Sequence, residues 1–96
     1  MSVWSGSKCV EGWTQPNRNA SMSGGSFDRA LTLSDCQAAC VQRFPNCVAI
    51  NVNPLPSGLI NCYLVPQLQQ PIDTQNVDNY EIIISSDVEC QPLSMY

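Results

Sequence analysis

The sequence contains no histidine. Ser–His–Asp triads, Cys–His pairs and most catalytic zinc sites are thereby excluded in their usual forms. Charge is also scarce. Charged residues make up 12% of the chain, roughly half the usual share of about 25%. Ser, Asn and Gln supply most of the polar surface instead. With four basic residues against eight acidic ones the net charge is −4, a poor match to nucleic acid, anionic membranes or heparin. No stretch approaches the roughly 18 apolar residues of a membrane span, so membrane insertion is not expected.

The 96 residues are 44% hydrophobic, which suffices for one modest core and argues against wholesale disorder. The strongest compositional signal is six cysteines, at Cys9, Cys36, Cys40, Cys47, Cys62 and Cys90. An even number in a small polar chain reads as three disulfides and an oxidising, secreted or extracellular location. The competing reading is zinc, which favours two closely spaced Cys pairs. Only Cys36 and Cys40 are spaced that way, so no metal and no cofactor is expected. Residues Met1 to Lys8 lack the apolar core of a secretory signal. The chain therefore reads as a mature form, or as a domain cut from a longer secreted or membrane-anchored protein. The sequon Asn19-Ala20-Ser21 fits such a location as a glycosylation site in a polar loop.

Along the chain, a short strand is expected near Cys9, then a breaker-rich loop over residues 14–26. Ser34-Asp35-Cys36-Gln37 has the form of a capping box, with Leu33 before it as a staple. Asp35 in the first turn and Arg43 in the last suit the helix dipole, and Pro45 ends the segment. A helix is expected over residues 35–44, with Cys36, Cys40 and Phe44 on its inner face. Two strands follow, from Cys47 to Val52 and from Leu59 to Val65, joined as a hairpin through the turn Pro54-Leu55-Pro56-Ser57-Gly58. After a Pro/Gln/Asn-rich connection over residues 66–79, Tyr80 to Ser85 form a third strand.

A helix bearing Cys36 and Cys40, a strand opened by Cys47 and a returning strand carrying Cys62 resembles the PAN/apple domain superfamily. The resemblance lies in Leu33-Ser34-Asp35-Cys36-Gln37-Ala38-Ala39-Cys40, Asn46-Cys47-Val48-Ala49-Ile50 and Asn61-Cys62-Tyr63-Leu64. It covers about residues 9–90. It implies an α+β fold, a small disulfide-rich domain over residues 1–96 with one helix packed on a twisted antiparallel sheet. It also implies the disulfides Cys9–Cys90, Cys36–Cys62 and Cys40–Cys47. By the same resemblance the expected function is non-catalytic: an extracellular recognition or adhesion module that binds protein or carbohydrate. A subunit that self-assembles into a filament or matrix, and a free secreted inhibitor-like effector, are the alternatives.

Individual residues add less. Asp73, Asp78, Asp87 and Glu89 lie in polar connectors without a basic or nucleophilic neighbour in sequence, which suits a solvated surface better than acid–base catalysis. Asp73 to Asp78 has some oxygen ligands of a calcium loop but lacks its glycine and terminal glutamate. Trp13, near Cys9, is read as core, and Trp4 is left open. Since the helix covers one face of the sheet, a partner is expected on the connectors and on the other face. Leu55, Pro56 and Ser57 at the hairpin tip are the candidate contacts, preorganised by proline. Leu55 folding back onto the core is the competing expectation.

Overall fold

The computed structural model describes residues 10–84, and the fold is α+β. Among the described residues seven strands and one helix follow in the order β1 (Val10–Trp13), β2 (Ala20–Ser21), β3 (Ser26–Leu31), α1 (Leu33–Arg43), β4 (Ala49–Pro54), β5 (Ile60–Val65), β6 (Ile72–Asp73) and β7 (Asp78–Ile84). Five strands form one antiparallel sheet in the order β1-β7-β4-β5-β3, and β2 pairs with β6 in a separate ribbon. The β4–β5 hairpin expected from sequence lies inside the sheet, in a register that sets Ile50 opposite Leu64 and Val52 opposite Cys62.

Period-two alternation divides this sheet into two faces. Ile50, Val52, Cys62, Leu64 and Ile82 point to the helix side, where they form the main core with Cys36, Cys40 and Cys47. Leu33, Ala39, Val41, Phe44 and Trp13 pack around it half-buried. Trp13 thus takes the core role expected of it. The helix is bound to this face by two disulfides. Cys36–Cys62 joins its first half to β5, with Cα atoms 5.7 Å apart. Cys40–Cys47 joins its second half to the chain leading into β4, at 5.2 Å. All four sulfurs belong to fully buried residues. The implied third bridge, Cys9–Cys90, lies outside the described residues.

Several boundaries differ from the expectation, each for a local reason. The helix starts at Leu33, and its N-cap is Thr32 rather than Ser34. Thr32 is extended, with φ −76° and ψ 163°, and its Oγ1 accepts from the Asp35 amide at 3.2 Å. Residues Ser26–Leu31 are already a strand, so the chain turns into the helix directly after β3 and Ser34 falls within the first turn. The helix ends at Arg43 because Phe44, at ψ 135°, precedes Pro45, a position that disfavours helical backbone. The residue 14–26 segment and the residue 66–79 connection are not plain loops. Each contributes one strand of the β2–β6 ribbon. The last strand begins at Asp78, two residues before the expected Tyr80.

β3 is an edge strand that sequence alone did not reveal. Its pairing with β5 slips between Phe27 and Arg29, which leaves Asp28 as an extra residue. The Asp28 carboxylate lies 3.5 Å from Arg29 and 4.0 Å from Arg43, and so links this edge to the last turn of α1. A bulge and charged side chains both discourage further strand addition at an edge.

Candidate functional site

The sheet face opposite the helix carries side chains of a different kind. Asn51 and Asn53 of β4, Tyr63 of β5, and Asn79 and Glu81 of β7 alternate with the core residues, and Asn51 stands opposite both Tyr63 and Asn79. The chain between β1 and β3 passes across this face. It first continues along β7, with Asn17 and Asn79 exchanging backbone hydrogen bonds of 2.7 and 3.0 Å. It then places Met22 against Ala49 and Val65 in a small second core.

What anchors this crossing segment is a buried asparagine network. Asn79 is 0% exposed. Its Nδ2 donates to Asn51 Oδ1 at 2.9 Å and to the Ile50 carbonyl at 3.3 Å, while its Oδ1 accepts from Asn17 Nδ2 at 2.9 Å. Asn51 in turn clamps the Met22 backbone, accepting from its amide at 3.0 Å and donating to its carbonyl at 2.8 Å. A carboxamide suits this position because it donates and accepts at once and carries no charge to desolvate. Gly25 completes the close approach: a Cβ there would stand 3.1 Å from Asn51 Nδ2.

Beside the network the crossing segment and β6 leave the sheet face partly open. A groove of about 200 Å3 is lined by Ser21, Asn51, Asn53, Tyr63, Thr74 and Val77. None of these side chains is charged. Ser21 and Thr74 hydroxyls meet across it at 2.7 Å, and Tyr63 closes one wall with its ring 5.3 Å, centroid to centroid, from that of Phe27. Phe27 is 56% exposed, so an aromatic pair stands at the rim. Thr74 is shared with a larger, open cleft of about 520 Å3 that also includes Arg18, Asn19, Asp73, Gln75 and Asn76. This cleft is built by reciprocal contacts. The Asn19 Oδ1 accepts from the Asn76 amide, and the Asn19 amide donates to Asp78 Oδ1, each at 3.2 Å. Asn19 and Asn76 both have positive φ, 52° and 65°, values that asparagine tolerates better than most residues.

The candidates named from sequence fall into two places. Leu55, Pro56 and Ser57 lie at the hairpin tip, where Leu55 is half-buried and the other two are exposed. The tip is a compact turn, in which the Gly58 amide donates to the Leu55 carbonyl at 3.0 Å and the Leu55 amide to the Leu59 carbonyl at 2.8 Å. Gly58 has φ +94°, a conformation that glycine adopts freely. Asn19 is exposed and belongs to the cleft beside the groove. Asp78 is committed to Arg18, at 2.6 Å, and to the Asn19 amide, which removes it from any calcium loop with Asp73. Among the described residues no three Cys, Asp or Glu side chains come together in a way that could hold a metal ion.

Nothing in the sequence marks Ser21, Asn53, Tyr63 and Thr74 as one site; Ser21 stands out there only as the third residue of the sequon. Their signal was present in part, because Asn51-Val52-Asn53 and Asn79-Tyr80-Glu81 alternate polar with apolar residues inside strands. Among the described residues no helix is long and apolar enough to cross a membrane. Two buried disulfides in so small an α+β fold are consistent with an oxidising, extracellular environment. Comparison of the chain with protein-family models, with curated proteins and with solved structures finds no match to any of them.

Proposed function

We propose that this chain is a non-catalytic extracellular recognition module of the PAN/apple type, and that it binds a neutral carbohydrate in the groove on the sheet face opposite the helix. The observation that carries this reading is the lining of the groove. It combines one aromatic ring, Tyr63, with uncharged amide and hydroxyl groups from Ser21, Asn53 and Thr74. Sugars present apolar C–H faces and rows of hydroxyls that both donate and accept. An aromatic ring meets the first, and amides and hydroxyls meet the second whichever way each hydroxyl points. The helix, hairpin and two disulfides support the PAN/apple assignment.

Recognition is favoured over polymerisation by strand addition, because the β3 edge is bulged at Asp28 and charged at Arg29. The absence of catalysis is supported by the chemistry of the carboxylates near the groove. Asp78 is paired with Arg18 and Glu81 accepts from Asn17 Nδ2 at 3.3 Å, so neither stands free beside a nucleophile. A glycan array probed with the wild type and with Tyr63→Ala tests the reading. Retention of one or more neutral oligosaccharides by the wild type, with at least about tenfold loss in the variant, is expected. An array without neutral hits, or hits indifferent to Tyr63, overturns it.

A further inference from the structure

The two residues that define the glycosylation sequon both belong to the binding surface. Asn19, the acceptor, lines the open cleft, and Ser21, the hydroxyl residue, lines the groove; Thr74 is shared by both spaces. Ala20 between them is buried and its amide donates to the Val77 carbonyl at 2.8 Å, so the tripeptide is fixed against the wall rather than carried on a free loop. The Asn19 Oδ1 is held by the Asn76 amide. Asn19 Nδ2, the atom that receives a glycan, has no partner among the described residues. A sugar attached to Asn19 starts beside the cleft that this residue lines, and that cleft shares Thr74 with the groove of Tyr63.

We propose that an N-glycan on Asn19 lies along the cleft into the groove and closes it, so that glycosylation switches this recognition site off. The inference rests on the reading of the groove as a sugar site. In the modification, Asn19 Nδ2 forms a bond to the anomeric carbon of a lipid-diphosphate-linked oligosaccharide. The lipid diphosphate departs with the electrons of the broken C–O bond, and the amide nitrogen releases one proton. The eukaryotic form of such a glycan begins with two β1,4-linked N-acetylglucosamine units. These are uncharged and carry hydroxyls, amides and apolar ring faces, the groups that the uncharged amides, hydroxyls and Tyr63 of the groove complement. Attachment in cis raises the effective concentration of this disaccharide at the groove far above that of a free competitor.

The test compares one sequence in two states: the intact chain secreted from a glycosylating host, and the same chain folded oxidatively from a host that does not glycosylate. The probe is N,N′-diacetylchitobiose, followed by amide NMR shifts. The unglycosylated chain is expected to bind it with shifts at Asn53, Tyr63 and Thr74. The glycosylated chain is expected to show those shifts before any addition and to bind the probe at least about tenfold more weakly. Trimming the glycan to its first sugar should restore part of the binding. Equal binding by the two states overturns the switch, as does a glycan whose shifts stop at Asn19 and its immediate neighbours. Secretion without a glycan on Asn19 also overturns it. If the unglycosylated chain also ignores chitobiose, the sugar reading fails for this disaccharide and the switch falls with it, whereas measurable and equal binding by the two states overturns the switch alone.

Discussion

Replacing Asn79 with alanine tests whether the buried amide network holds the site together. The side chain makes three hydrogen bonds, to Asn51, to the Ile50 carbonyl and from Asn17, and it is fully buried. A typical intramolecular hydrogen bond contributes about 1 kcal/mol net, and more where a partner is stranded without water. Two of the stranded groups retain a second partner, since Asn51 Oδ1 still accepts from Met22 and Asn17 Nδ2 still reaches Glu81. The expected loss is therefore about 3 kcal/mol, read by urea denaturation as a lower midpoint. An Asn51→Ala, Asn79→Ala cycle should in addition show coupling above about 0.5 kcal/mol, because the two amides share one hydrogen bond. The crossing segment should loosen as well, seen as faster hydrogen exchange at the Met22 amide. A loss below about 1 kcal/mol, or strict additivity with Asn51→Ala, would refute the network as the anchor of the groove wall.

Three further outcomes follow from the same contacts. Removing the Cys36–Cys62 bridge by a paired Cys→Ser change opens a loop with a sequence separation of 26, and in the chain-entropy model costs about 3.5 kcal/mol, against about 2.5 kcal/mol for Cys40–Cys47; thermal melts that rank the two oppositely contradict this account. Thr32→Ala should cost about 1 kcal/mol as loss of an N-cap, and Ser34→Ala, inside the first turn, less than about 0.5 kcal/mol, both by chemical denaturation. No heparin retention is expected at about 0.15 M salt, where the Debye length is about 8 Å. Arg18 pairs with Asp78, and Arg29 and Arg43 share the Asp28 carboxylate, so each of these bases is offset by an acid; elution from heparin only above that salt concentration would show otherwise.

The parts of the fold that were legible in the sequence are those set by local rules. The helix carries its own caps and terminal charges, and the hairpin strands carry β-branched residues around a Pro/Gly turn. The two described disulfides agree with the PAN/apple cysteine order, in positions that a helix face and a returning strand can both reach. Less legible were features decided by tertiary contact. β3 contains Asp28 and Arg29, which lower its strand signal, and it is a strand because β5 offers an edge to pair with. β2 and β6 are two residues each, too short to leave a periodicity. The N-cap shifted from Ser34 to Thr32 because β3 runs right up to the turn. The groove was missed for a related reason. Its residues come from β2, β4, β5 and the residue 74–77 turn, and only the fold brings them together. The sheet face away from the helix, where with the connectors a partner is expected, carries this groove, while Leu55, Pro56 and Ser57 lie at the hairpin tip beyond Asn53.

Amide NMR mapping decides whether recognition takes place in the groove. The unglycosylated chain would be titrated with the neutral oligosaccharide best retained on the array. Shifts concentrated on Ser21, Asn53, Tyr63 and Thr74, and abolished by Tyr63→Ala in a variant that keeps its fold, are the predicted result. Shifts confined to Leu55, Pro56 and Ser57, or spread over the helix, would contradict it.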